Sequence, residues 1–259
     1  MLNDTSATAS VKGPALVPAV ARAAALIDRI AATPQPESLS DLARALGLPK
    51  SSAHGLCQTL CHLGLLRPQG SGFALGPHLL RWAGAYLAGT DLVNEFHHTL
   101  AEDRRLVSHT VILSTLDGPE VVYLACRNGS VPLGISFRMG MRLPAIFTAT
   151  GLAMLALLDD AAVTSHLADP WPQALTRSSV KNRRSLNALL AQTRERGYAL
   201  DEGMVRDGMT CLGVAIRDDQ GRPRAGMAVS LTAAEATPTM RRQIGAALSA
   251  LAEELARRI

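Results

Sequence analysis

Ser38-Leu39-Ser40-Asp41-Leu42-Ala43-Arg44-Ala45-Leu46-Gly47-Leu48-Pro49-Lys50-Ser51-Ser52-Ala53-His54-Gly55-Leu56-Cys57-Gln58-Thr59-Leu60 decides how this chain folds. Ser38, with Asp41 three residues on, has the spacing of a helix N-cap, so a short helix follows it. Gly47 can take the left-handed conformation that ends a helix, and Pro49 suits the start of the next. From Lys50 onward Ala53, Leu56, Cys57, Leu60 and Leu63 share one apolar face, leaving Ser51, Ser52, His54, Gly55, Gln58 and His62 pointing outward. Two short helices joined by a tight turn, the second polar on its free side, describe a helix-turn-helix whose second helix can enter the major groove of DNA.

Working outward, Val20, Ala24, Ile27 and Ala31 recur at helical spacing, which predicts a preceding amphipathic helix that Pro34 and Pro36 stop. Downstream, Arg67-Pro68-Gln69-Gly70-Ser71-Gly72-Phe73-Ala74-Leu75 reads as two short extended runs around a Gly-rich turn, the wing of a winged helix. Arg67 is placed to contact phosphate there, fixing register without reading bases.

The chain has 259 residues, 47% of them hydrophobic and 19% charged, enough apolar surface for two compact domains and too much for disorder. Net charge is +4, of which residues 1–90 carry +3, the sign a phosphate-binding module needs. Residues 1–13 read as a mobile polar tail without the layout of a secretory signal, so a cytoplasmic protein is expected, with no membrane segment. The four cysteines form no Cys-x-x-Cys pair. Cys57 and Cys61, near His54 and His62, have a spacing that fits either a buried stripe or a metal pair, and the stripe is preferred. No metal and no cofactor are expected.

Val17 to Ala83 resembles the DNA-binding domain of the IclR-type bacterial transcriptional regulators. The resemblance rests on residues 39–52, His54, Gln58-Thr59-Leu60 and Phe73-Ala74-Leu75-Gly76-Pro77-His78-Leu79-Leu80. It implies DNA contacts from Lys50, Ser51, Ser52, His54, Gln58 and Arg67. Members commonly carry Lys-Ser-Thr-x-His-Arg where this chain has Lys50-Ser51-Ser52-Ala53-His54-Gly55, so one charged contact is missing. The resemblance also implies an organisation: a winged helix-turn-helix over 14–76, a linker helix over 77–90, and an effector-binding and oligomerisation domain over 91–259. That last domain is expected to be α+β, GAF-like, with an antiparallel sheet. A homodimer or tetramer on palindromic or pseudo-palindromic double-stranded DNA follows from the same likeness, acting as repressor or activator.

The residues of the second domain fit that class. Thr110 to Leu116 and Val121 to Cys126 flank a hairpin signal at 117–120, and Val131 to Phe137 is a third predicted strand. Met209 to Arg217 and Arg224 to Leu231 form a second hairpin, with helices over 148–158, 186–196 and 240–258. Thr148-Ala149-Thr150-Gly151 opens a helix, whose free N–H groups favour an anion. In the resembling family this segment, an Asp after a Gly-Tyr motif, a Cys in the next strand and a Ser in the last strand line the effector pocket. The positions here are Ala149, Thr150, Asp201, Cys211 and Ser230, with Ile135, Leu143 and Met209 as apolar walls. Some members carry a second serine where this chain has Ala228, which favours a more apolar effector, such as an aromatic acid, over a small keto acid.

Each residue also has a plainer reading: Thr148 as a helix cap, Asp201 as a solvated turn residue, Cys211 as a small core residue. Two other functions stay open. A redox-responsive regulator would act through Cys57 and Cys61. A small-molecule enzyme would need Cys211 and Asp201 with a histidine, but Gly-x-Ser-x-Gly, phosphate-loop and His-Glu-x-x-His signatures are absent, so no enzyme is expected.

Overall fold

The computed structural model describes residues 17–33, 35–89, 91–130 and 137–259. The expected tail over 1–13, residues 131–136 of the strand expected over Val131 to Phe137, and Ile135 within it lie outside them. The chain divides into two compact units, one ending at Gly89 and the other running to Ile259.

In the first unit, α1 (Pro18–Ala31), α2 (Leu39–Ala45) and α3 (Lys50–His62) pack beside a small sheet of β1 (Glu37–Ser38), β2 (Leu66–Gln69) and β3 (Gly72–Leu75), ordered β1-β3-β2. Ser38 caps α2 by accepting the Asp41 N–H at 3.2 Å while donating its hydroxyl proton to Asp41 Oδ2 at 2.7 Å. Gly47 turns the chain at φ +61°, and α3 starts at Lys50. The core of this unit is Leu26, Ile30, Leu42, Cys57, Leu60, Leu65 and Leu66. Its seat on α1 differs from the expected Val20, Ala24, Ile27 and Ala31. Leu26 and Ile30 bury instead, with Ala23 and Ile27 beside them, while Val20 is exposed. The larger side chains remove more apolar surface from water and rotate the helix onto their face. Leu63 is likewise exposed rather than buried, because it caps α3 where the helix has already ended.

The pairing of β1 with β3 had no local signal. Glu37 lies opposite Phe73 and Ser38 opposite Gly72, where a Cβ on Gly72 would lie 2.5 Å from the Glu37 carbonyl oxygen. The Arg29 guanidinium grips the buried Glu37 carboxylate, with Nε at 3.0 Å from Oε2, and so ties α1 to this strand. Helix α4 (His78–Ala88) closes the unit, its Leu79 packed on the core.

The second unit begins with α5 (Leu92–Glu102) and is built on a six-stranded antiparallel sheet. Its strands are β4 (Thr110–Asp117), β5 (Glu120–Arg127), β6 (Arg142–Pro144), β7 (Ala199–Glu202), β8 (Met209–Arg217) and β9 (Pro223–Thr232), ordered β6-β5-β4-β9-β8-β7. Side chains alternate across it as a strand's period of two requires. Val111, Leu113, Leu212, Val214 and Ile216 face α5 and α9 (Pro238–Ala256), while Ile112, Tyr123, Met209 and Cys211 face the other layer. That layer holds α6 (Ala149–Leu155), α7 (Asp160–Ser165) and α8 (Arg183–Arg196), with a 3-10 turn at Ala145–Phe147 leading into α6. Among the described residues no helix is long and apolar enough to cross a membrane.

Candidate functional site

The first candidate surface is the outer side of α3. Ala53, Cys57 and Leu60 turn inward, spaced so that Lys50, Ser51, Ser52, His54 and Gln58 are all exposed. Arg67, on β2, is exposed as well, and Gly70 (φ +58°) turns the wing beside it. Among the described residues no side-chain hydrogen bond or ion pair engages Lys50, His54, Gln58 or Arg67, so their donors stand ready for an outside partner. Gly55 has open space where a Cβ would sit, so internal packing does not demand glycine there.

Behind this face, burial pushes the Cys57 thiol up to about 11, and Cys61 is raised for the same reason. The thiolate is the reactive form, so the upward shifts weigh against the redox reading at neutral pH. Among the described residues no three His, Cys, Asp or Glu side chains converge to hold a metal.

The second candidate site lies beneath the start of α6. This helix rests directly on the sheet because two strand residues lack side chains: a Cβ on Gly213 would fall 2.4 Å from the Ala149 carbonyl carbon, and one on Gly226 2.8 Å from Thr150 Cβ. Thr148 caps the helix by accepting the Gly151 N–H at 3.1 Å. Thr150, buried, accepts a hydrogen bond from Ser114 Oγ on β4 at 2.8 Å. Between helix and sheet is a cavity of about 10 Å³, the room of one water. Its lining joins Thr148, Ala149 and Thr150 to Asp201, Met209, Cys211 and Ala228, with Ile112, Tyr123, Phe137 and Val205 completing the wall.

Asp201 is 1% exposed, so the reading of it as a solvated turn residue fails. Its carboxylate accepts the Met204 N–H at 2.6 Å, yet burial outweighs the backbone bonds and pushes its pKa up to about 7. Cys211 sits 3.2 Å from Ser230 Oγ, directly across the β8–β9 pair, and burial beside Asp201 pushes its thiol well above the ordinary range. Tyr123 is raised in the same way, and its ring lies 5.7 Å from that of Phe137. Among the described residues, every titratable group on the wall is therefore an acid whose neutral form burial favours, and no cationic side chain lines the cavity.

Of the expected pocket residues, Ala149, Thr150, Asp201, Met209 and Cys211 meet at this cavity. Ser230 stands behind Cys211, and Leu143 packs against the surrounding core without lining the space. Sequence reasoning missed Ile112, Tyr123, Phe137 and Val205. The alternation along β4 and β5 was a usable signal for the first two, since it turns both toward the α6 layer.

Residues 84–257 match the bacterial transcriptional regulator IclR C-terminal family, and residues 19–70 match the IclR helix-turn-helix domain. The chain belongs to the IclR family of transcriptional regulators. Within that family it is similar to the regulator XynR of Escherichia coli, 29% identical over 217 residues that cover 83% of this chain and 86% of the relative. It is 27% identical to the transcriptional repressor IclR of Escherichia coli, across 96% of this chain and 92% of the repressor. Among solved structures, the repressor BlcR of Agrobacterium tumefaciens is 42% identical, covers 93% of this chain and 97% of its own, and superposes with a TM-score of 0.62. This IclR-family chain is thus a regulator with an N-terminal helix-turn-helix domain and a C-terminal effector domain, and not an enzyme.

Proposed function

We propose that this regulator reads double-stranded DNA through the outer side of α3 and adjusts that binding when a small aromatic acid enters the cavity beneath α6. Lys50, Ser51, Ser52, His54 and Gln58 face the groove and Arg67 holds a phosphate. Residues 14–76 form the DNA-binding domain, 77–90 the linker helix and 91–259 the effector-binding and oligomerisation domain. The effector assignment is carried by one observation: buried polar groups, Asp201, Thr150, Cys211 and Tyr123, converge on an otherwise apolar space. Buried polar atoms cost free energy unless partnered; in the closed cavity Thr150 pairs with Ser114, Cys211 with Ser230 and Asp201 with the Met204 N–H, and an entering ligand can exchange those partners for its own.

The walls favour the aromatic class. Tyr123, Phe137, Ile112 and Met209 offer rings and apolar surface, while a protonated Asp201 donates to a carboxylate that no cationic side chain meets. Because the cavity now has room for one water, an aromatic acid enters only as the walls move apart. By linkage, effector and DNA then change each other's affinity by the same factor. A homodimer or tetramer on a palindromic operator fits the exposed apolar side chains of α4, where Leu80, Trp82 and Tyr86 are each more than half exposed.

A thermal-shift panel of benzoate, 4-hydroxybenzoate, pyruvate and glyoxylate at pH 6, followed by DNA-binding assays on genomic fragments with any hit, tests this reading. Stabilisation by the aromatic acids with altered DNA affinity supports it. Equal stabilisation by all four removes the aromatic assignment.

A further inference from the structure

The second unit also holds a far roomier space than the cavity beneath α6. It is a cleft of about 690 Å³ beside the last residues of β8. Strand β8 runs for nine residues, but β7 pairs only with Thr210 to Gly213, its first residue, Ala199, standing opposite Gly213. Before Ala199 the chain turns away at Gly197, whose φ is +83°, to end α8. From Val214 to Arg217, β8 therefore has β9 on one side and the cleft on the other. An unpaired strand edge carries main-chain donors and acceptors that seek a further strand.

The walls are cut back to admit one. Ala153 of α6 and Ala156 just beyond it flank the layer on one face of the sheet, and Ala252 and Ala256 of α9 flank the other. Arg194 does not fill the space, because its guanidinium is held by the Ala156 and Leu158 carbonyls at 2.7 and 3.1 Å. At the rim stand Arg217 and Arg257, exposed and, among the described residues, in no ion pair, against the one carboxylate described there, Glu253. Two free guanidinium groups facing one acid give the rim a positive excess.

We propose that the free end of β8 accepts an extended acidic peptide segment from a partner protein, which pairs with Val214 to Arg217 as a seventh strand. Main-chain hydrogen bonds hold such a strand, and its alternate side chains fall into the two alanine-lined walls. Its acidic ends meet Arg217 and Arg257. A second copy of the same edge is disfavoured, because a recessed edge cannot enter an identical recess and two rims of the same sign would face each other.

The test uses the full-length protein and a fluorescein-labelled peptide, Glu-Val-Ala-Val-Ala-Glu, read by anisotropy, with hydrogen exchange of residues 214–217 followed in parallel. Saturable binding is expected, weakened about tenfold by the double variant Arg217→Ala, Arg257→Ala and by lysine in place of both glutamates. It should be abolished when alternate peptide nitrogens of the probe are methylated, and the 214–217 amides should gain protection only when the unmethylated peptide is bound. Equal binding of the methylated peptide, or no saturation at millimolar concentration, overturns the proposal. So does protection of the 214–217 amides in the protein alone that disappears on dilution, since a second copy then covers the edge.

Discussion

The polar rows of the two units differ most in their exposure to water. On α3 the polar side chains face solvent, those of Lys50, His54 and Gln58 have no partner among the described residues, and their arrangement follows from three inward residues at helical spacing. Beneath α6 the polar groups are almost wholly covered, most of them hydrogen-bonded within the chain, and drawn from five strands and the start of a helix. The first surface is free to meet a large, charged, solvated partner. The second suits a molecule small enough to be enclosed, and its groups titrate and pack in ways that exposed groups do not. The contrast teaches that residues read as functional by type fall into two energetic regimes, one governed by salt and the other by burial.

The comparison breaks most sharply at Gly213. Gly213→Val sets side-chain carbon where the Ala149 backbone now lies, and about 3 kcal/mol of stability should be lost from the second unit. Hydrogen exchange should show its amides opening while those of α2 and α3 keep their protection, and equal loss in both units would mean that the two do not hold separate cores.

Asp201 offers the next largest effect, through pH. In the unfolded chain its carboxyl releases its proton near 3.9, whereas in the fold it retains it up to about 7. Between those values the folded state binds more protons than the unfolded, so stability falls as pH rises from about 4 to about 7 and levels off above. Asp201→Asn should flatten that decline in urea midpoints measured across the range. An unchanged pH profile would place the carboxyl in water.

Lys50→Ala sharpens the other side of the contrast. It should weaken binding to all DNA sequences alike and lower the slope of log affinity against log salt by roughly one. Titrations at several salt concentrations read this directly, and an intact slope would remove Lys50 from the phosphate contacts. The smallest effects come from the helix caps, where Ser38→Ala and Thr148→Ala should each cost about 1 kcal/mol. The second should cost more, because Thr148 is buried and its Gly151 partner is left without water to replace it, and calorimetry of the two variants decides the order.

Much of the winged unit was legible because its rules are local. Ser38, Gly47 and Pro49 mark helix ends within a few residues of themselves, and Gly70 marks the wing turn. What escaped was non-local: the two-residue β1, defined only by its contact with β3, and the choice between Val20 and Leu26 for the inward face of α1, which depends on what the helix meets. In the second unit the hairpins β4–β5 and β8–β9 announce themselves through turn residues and β-branched runs. The strands β6 and β7 are too short to carry a pattern. The cavity drew its legible members from the family likeness, while Phe137 and Val205 reach it from irregular segments that have no periodicity to read.

The bare backbone contact of α6 with Gly213 carries one more consequence. Where helix and strand meet through side chains, a small push is absorbed by rotamer changes near the point of pressure. Here peptide planes touch with nothing compliant between them, and close-packed interiors compress little. A molecule wedged under the helix therefore lifts it as a unit or not at all. The response of the domain to rising ligand concentration should come from the number of molecules switched, each one carrying the full displacement.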